Sequence, residues 1–253
     1  MKAKGLAGLA QTGALVLLSV LLAASALQAP VAQAATIEIT PISTIAEPLL
    51  DSYVTIKGTV LEAGNFSKGF RFVVADDTGR IDVTYFESVF DTLSKPELVR
   101  VGAVAQITGR VDEYEGKFSI IPNRGKETLV FSNTVRTVDH RELGGLNNGD
   151  HGAIILVEGE VHSVEKFDNG VDVLIFDATG TQKVRLYNVV AARIKKDVLV
   201  TGSKVSVTGK VKATRKFGLR IDVALPSDVV VITSAGLKQQ VVPTATVKVA
   251  GKP

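Results

Sequence analysis

The sequence predicts an all-β chain of two tandem five-stranded β-barrels, each with a short helix between its third and fourth strands. Three observations carry that expectation. The chain matches itself at an offset of about 100 residues. Within each copy apolar and polar positions alternate, the period of a strand with one buried face. With no cysteine among 253 residues, no disulfide framework or thiolate chemistry is open to it, so each copy is held by packing. Two small β-sandwiches are the alternative, and the helical insertion fits them poorly.

The repeat is read directly. Val54-Thr-Ile-Lys-Gly-Thr-Val60 lies over Ile155-Leu-Val-Glu-Gly-Glu-Val161 at an offset of 101, and Asp77-Thr-Gly79 over Ala178-Thr-Gly180 at the same offset. Ala105-Gln-Ile-Thr-Gly-Arg-Val111 then matches Val205-Ser-Val-Thr-Gly-Lys-Val211 at 100. A unit of this length is a whole small domain, too long for a solenoid repeat.

Taken in order, Val54, Ile56 and Val60 open the first strand of copy one, Phe72 and Val74 lie on the second, and Val83 and Tyr85 on the third. Asp76-Asp-Thr-Gly79 between strands two and three reads as a tight turn, which accounts for its paired carboxylates without catalysis. Val89 and Leu93, and Val190 and Ile194 in copy two, stand four apart as on one face of a short helix. Strand four covers Val104–Val111 and Val205–Val211, and strand five Lys117–Ile121 and Phe217–Val223. The connection around 136–152 holds the turn-rich Gly144-Gly-Leu-Asn-Asn-Gly149 and is expected to end in a lead-in equivalent to Thr40-Pro-Ile-Ser43.

The N-terminus reads as a secretory leader: Lys2 and Lys4, an apolar run over 14–27, then Ala32-Gln-Ala34 as a small-x-small cleavage site. The organisation expected is a leader over 1–34, barrels over 35–135 and 136–234, and an extended or disordered tail over 235–253. Export to the periplasm, cell surface or medium follows, with no stable membrane insertion after cleavage. Loss of Lys2 and Lys4 reduces the 29 basic residues to 27 against 26 acidic ones. The remaining charge is uneven: 35–135 carries 10 basic and 14 acidic side chains, 136–253 carries 17 and 12. A polyanion would prefer the second copy.

These residues resemble the OB-fold (oligonucleotide/oligosaccharide-binding) nucleic-acid-binding family of anticodon-binding and single-strand-binding domains. The likeness rests on Gly58-Thr-Val60, on Phe72-x-Val-x-Asp-x-Thr-Gly79 followed by Ile81-x-Val83, and on Gly102 with Thr108-Gly109-x-Val111. Copy two keeps Gly159-Glu-Val161, Val173-x-Ile-x-Asp-x-Thr-Gly180, and Gly202 with Thr208-Gly209-x-Val211. The resemblance implies binding of single strands or oligomers across the outer face of strands two and three, flanked by the loops joining strands one to two and four to five.

On that face inward Val83, Tyr85, Val184 and Leu186 leave Asp82, Thr84 and Phe86 outward in copy one, beside Arg71 of strand two, and Lys183, Arg185 and Tyr187 outward in copy two. An exposed ring there stacks a base while neighbouring Lys or Arg meets phosphates. The competing reading tucks Phe86 and Tyr187 under the following helix or the partner barrel. Lys210, Lys212, Arg215, Lys216 and Arg220 surround the last hairpin of copy two, as a ligand-clasping basic loop or as lysines protecting a strand edge. Val73, Leu174 and Phe176 also point outward, either to bind or to cement the barrels together.

His140, His151 and His162 have no metal-ligand spacing, and no nucleophile motif or phosphate-cradling glycine loop appears. No enzyme, cofactor or metal is expected. The expected partner is single-stranded nucleic acid or another polyanion; the alternative is an envelope protein or polysaccharide.

Overall fold

Residues that alternate in the first copy form strands β1 (Tyr53–Phe66), β2 (Gly69–Ala75), β3 (Arg80–Phe86), β4 (Ala103–Tyr114), β5 (Lys117–Ile121) and β6 (Thr128–Asn133), with the one-turn helix α1 (Glu87–Phe90) after β3. The second copy forms β7 (Asp139–His140), β8 (Ile154–Phe167), β9 (Gly170–Phe176), β10 (Thr181–Tyr187), α2 (Asn188–Ala191), β11 (Lys204–Thr214), β12 (Gly218–Asp222) and β13 (Val229–Thr233). The structure, a computed structural model, describes residues 37–133, 138–195, 199–214 and 218–233. The leader, the tail, Arg215 and Lys216 lie outside the described residues.

Each sheet closes into a barrel because its first strand serves two edges. The first half of β1 pairs with β4, from Tyr53↔Arg110 to Thr59↔Val104, and its second half with β2, from Thr59↔Ala75 to Phe66↔Gly69. A register shift between Val60 and Glu62 bends the strand from one partner to the other, the usual work of a bulge. The shift between Val161 and Ser163 does the same in β8. Short parallel pairings, Asp82↔Ser119 with Val83↔Ile120 and Val184↔Ile221 with Arg185↔Asp222, complete the two circuits. This is the OB arrangement, with the helix between strands three and four.

Each barrel has a further strand after the fifth that the alternation does not predict, and the second sheet also gains the short β7, parallel to β8. β6 and β13 lie along β4 and β11, next to the ends of β5 and β12. The first residue of β6 also satisfies a buried polar group, since Thr128 Oγ1 lies 2.6 Å from the hydroxyl of fully buried Tyr85. Copy two has Leu186 and Val229 at the matching places, so donor and acceptor are replaced together and neither is left unsatisfied.

The first core is aromatic, with Phe70, Phe72, Tyr85 and Phe90 in mutual ring contact. The second is aliphatic, built on Val173, Ile175, Val184, Leu186 and Val190. Both helices sit where the sequence places them, but the sealing residues differ in part from those the i, i+4 spacing picked: Phe90 with Leu93 seals one barrel and Val189 with Val190 the other, while Val89 and Ile194 are only partly buried.

The lead-in of copy two precedes the glycine-rich stretch instead of following it. Leu143 and Gly144 donate backbone N–H to Asp177 and Thr179, as Ile42 and Ser43 do to Asp76 and Thr78. Gly144–Gly149 then folds back through two 3-10 turns, the second capped by Asn147. Each Asp-x-Thr-Gly turn is thus a latch holding the entering chain.

Gly69 and Gly170 pair directly with Phe86 and Tyr187, and a Cβ there would lie 2.0 and 2.1 Å from the carbonyl oxygens of Tyr85 and Leu186. Gly170→Ala is expected to destabilise the chain by about 3 kcal/mol, the upper part of the ordinary range for one substitution. A denaturant titration measures it.

Candidate nucleic-acid interface

The outer surface of strands one, two, three and five carries the candidate residues of both barrels. At its helix end, the rings of Phe66 and Phe86 meet edge to face in barrel one, centroids 6.1 Å apart at 78°. Phe167 and Tyr187, the residues 101 places on, repeat the contact at 6.1 Å and 82°. Neither Phe86 nor Tyr187 is buried under its helix; Phe86 is 40% exposed and Tyr187 is half-buried. Such pairs leave ring surface open while fixing its direction.

Between the dyad and the last hairpin, the two faces differ in charge. Barrel one carries a shallow concavity of about 480 Å³ lined by Glu62, Val73, Arg80, Asp82 and Lys117. Arg71 is 65% exposed at its side chain and stands 3.9 Å from Asp82, a loose surface pair of little energetic weight. Thr84 lies opposite Arg71. In barrel two the signs of that pair are exchanged, since Asp172 replaces Arg71 and Lys183 replaces Asp82.

Asp172 there is the hub of a tight network. Arg185 donates Nε and Nη2 to its two oxygens at 2.7 Å each, and Lys183 Nζ lies 3.5 Å away. The Arg185 hydrogen bonds, with the charges of Arg185 and Lys183, outweigh desolvation and hold the Asp172 carboxyl below its usual range. The same bonds raise Arg185, whose guanidinium also covers the Phe167 ring at 4.5 Å. Arg220 is engaged likewise, Nε to Asp222 Oδ1 at 2.7 Å.

The residues singled out from sequence therefore fall into three groups. Phe86, Tyr187, Thr84 and Arg71 are presented on the outer faces. Lys183, Arg185 and Arg220 are on the face but committed to Asp172 and Asp222. Lys210 is exposed and Lys212 half-buried on β11, paired in register with Asp222 and Arg220. Sequence reasoning missed Phe66 and Phe167, although they align at the repeat offset, and it missed the carboxylates that neutralise the arginines.

Val73, Leu174 and Phe176 stay on the outer faces, Phe176 edge-on to His162 at 6.1 Å. A separate cleft of about 500 Å³, whose walls include Ala63 and Val101 of the first barrel and Leu225 and Val230 of the second, marks where the barrels approach. His140 belongs to β7 and His151 Nδ1 accepts from the Ala213 amide. Among the described residues no group of three or more His, Cys, Asp or Glu is placed to hold a metal, and no helix is long and apolar enough to cross a membrane.

Comparison with known proteins agrees with this architecture for the first barrel. Residues 54–127 match the family model of the OB-fold nucleic acid binding domain of the tRNA anticodon type. No curated protein matches the chain. Among solved structures, a replication protein A heterotrimer bound to single-stranded DNA aligns at 15% identity and a TM-score of 0.41, covering 79% of this chain and 52% of that one. A murine DNA-binding protein bound to double-stranded DNA gives 18% and 0.32, covering 73% and 98%. Asparaginyl-tRNA synthetase from Pyrococcus horikoshii gives 18% and 0.32, covering 39% and 24%.

Proposed function

We propose that this chain is an exported, non-catalytic protein that binds single-stranded nucleic acid on the outer faces of its OB barrels, by stacking bases on paired rings. The observation that carries the reading is the duplicated dyad, Phe66 with Phe86 and Phe167 with Tyr187, at equivalent places on outer strands. Phe66, Phe86 and Phe167 lie outside the buried core and Tyr187 only packs against its edge, and base–aromatic stacking tolerates any base. The match of 54–127 to a nucleic-acid-binding family model supports the ligand class, and the Lys2-to-Ala34 leader supports export.

The paired charges set the character of the binding. Among the described residues Arg185 and Arg220 are committed to carboxylates and displace fewer counterions than free arginines would, and the salt slope is expected near −2, as for about three phosphate contacts on a single strand. Fluorescence anisotropy of labelled DNA and RNA oligomers with residues 35–253 across a salt series tests this. Saturable binding with a shallow slope supports it; no binding at tens of micromolar protein, weaker than ordinary non-specific affinity, sinks it. Salt-independent binding that a polysaccharide displaces would move the assignment to a glycan, which a neutralised, ring-bearing face also suits.

Asp172→Asn is expected to release Arg185 and Lys183 toward phosphate, tightening binding about tenfold and steepening the salt slope by about one. An unchanged slope would show that the ligand does not pass over Arg185. N-terminal sequencing of the exported protein, expected to start at Ala35, tests the leader.

A further inference from the structure

We propose that the two dyads form one continuous binding track across the barrel junction, holding a single strand that reaches both at once. This rests on the stacking reading above.

Two sets of contacts join the dyad end of one barrel to the dyad end of the other. Asn65, next to Phe66, donates its side-chain amide to the carbonyls of Val223 and Ala224 at 2.9 and 3.0 Å. The Val223 amide in turn donates to the Arg185 carbonyl at 3.1 Å. Two hydrogen bonds therefore separate the residue beside Phe66 from the residue whose guanidinium covers Phe167.

The other dyad members are tied through Arg193. Its Nε and Nη2 donate to Asp91 at 2.6 and 2.7 Å, its Nη2 to Glu87 at 3.1 Å, and its Nη1 to the Val189 carbonyl at 2.6 Å. Glu87 directly follows Phe86, and Val189 comes two residues after Tyr187. The Arg193 side chain is only 16% exposed and its guanidinium lies 5.6 Å over the Phe70 ring, while Asp91 and Glu87 are 54% and 43% exposed, so Arg193 is held in place by packing and water still screens the ion pairs. The hydrogen bonds Arg193 donates to Asp91 and Glu87 raise it further against desolvation, and it stays charged at any working pH.

The Asn65 contact lies outside both cores, and the Arg193 cluster caps the first one at Phe70 while reaching across to the second barrel. What they fix is the placement of one dyad against the other. A strand that reaches both gains by effective concentration, a factor of about 10² to 10⁴ that holds only where geometry permits simultaneous contact. A short oligomer on one dyad gains nothing.

The experiment is anisotropy of the two-barrel chain with labelled oligothymidylates of about 4 and about 16 nucleotides, spanning the range of OB site sizes. The longer is expected to bind at least about 100-fold tighter. In Asn65→Ala/Arg193→Ala the long-oligomer affinity should fall tenfold or more while the short-oligomer affinity holds. Should that double variant melt early, the single variants Asn65→Ser and Asn65→Ala, both outside the ion-pair cluster, are read in the same way. Affinity that grows in proportion to length without a threshold, or junction variants that bind the long oligomer as wild type does, would overturn the track and leave the stacking reading standing. Failure of both oligomers to bind would overturn both.

Discussion

Replacing Phe167 and Tyr187 together by alanine is expected to lower affinity for an oligothymidylate about 100-fold and to leave the circular dichroism spectrum unchanged. In the proposed mode each ring would stack one base, worth about 1 to 3 kcal/mol on truncation, and about 2.7 kcal/mol for the two is a factor of 100. The fold is expected to tolerate the change because both rings are only half-buried, Tyr187 packing against the edge of the core and neither lying within it. The matching variant Phe66→Ala/Phe86→Ala should lose a comparable factor if the copies are equivalent, and less if the acidic first barrel contributes weakly. Affinity unchanged in both double variants would remove the outer faces from the binding site.

The second large effect is on stability in acid. Asp76 accepts from the amides of Ile42, Thr78 and Gly79 and from the Thr78 hydroxyl, and Asp177 accepts the same set from Leu143, Thr179 and Gly180. Desolvation opposes ionisation of both carboxyls, but these donors prevail and hold each at about 2, against an ordinary 3.8. A carboxylate depressed on folding contributes stability above the unfolded value and loses it as pH falls through the folded one. Melting temperature is therefore expected to drop steeply between about pH 4 and 2. Asp228 works oppositely: burial pushes it up to about 6 against the Leu225 hydrogen bond and the charge of Arg100, so it weakens the fold as pH rises from about 4 to 6. Asp76→Ala/Asp177→Ala should flatten the acid limb and cost about 2 kcal/mol per turn at neutral pH from lost charge-assisted hydrogen bonds. A pH series of thermal melts reads both. An acid limb of unchanged steepness in that variant would show that other carboxylates govern acid unfolding.

The sequence by itself determined the duplication, the β class, the position of each helix and the face on which Phe86 and Tyr187 lie. These follow from a period of two residues and from turn chemistry, both local along the chain and both written twice at an offset of 101. It also held the signal for Phe66 and Phe167, since they align at that offset; strand one simply runs on past its bulge to a length that alternation alone does not reveal. Only the tertiary structure decided three things. β6 and β13 are short strands that exist because an edge of β4 and β11 was open to receive them, a long-range condition that no local pattern states. Arg185 and Arg220 read as free cations in a charge count, yet the register that sets Asp172 opposite Arg185, and Asp222 beside Arg220, turns them into internal partners. The junction through Asn65 and Arg193 joins residues 158 and 102 positions from their partners. Hydrogen bonds and ion pairs depend on distances between side chains, and those distances are set only when both barrels have folded.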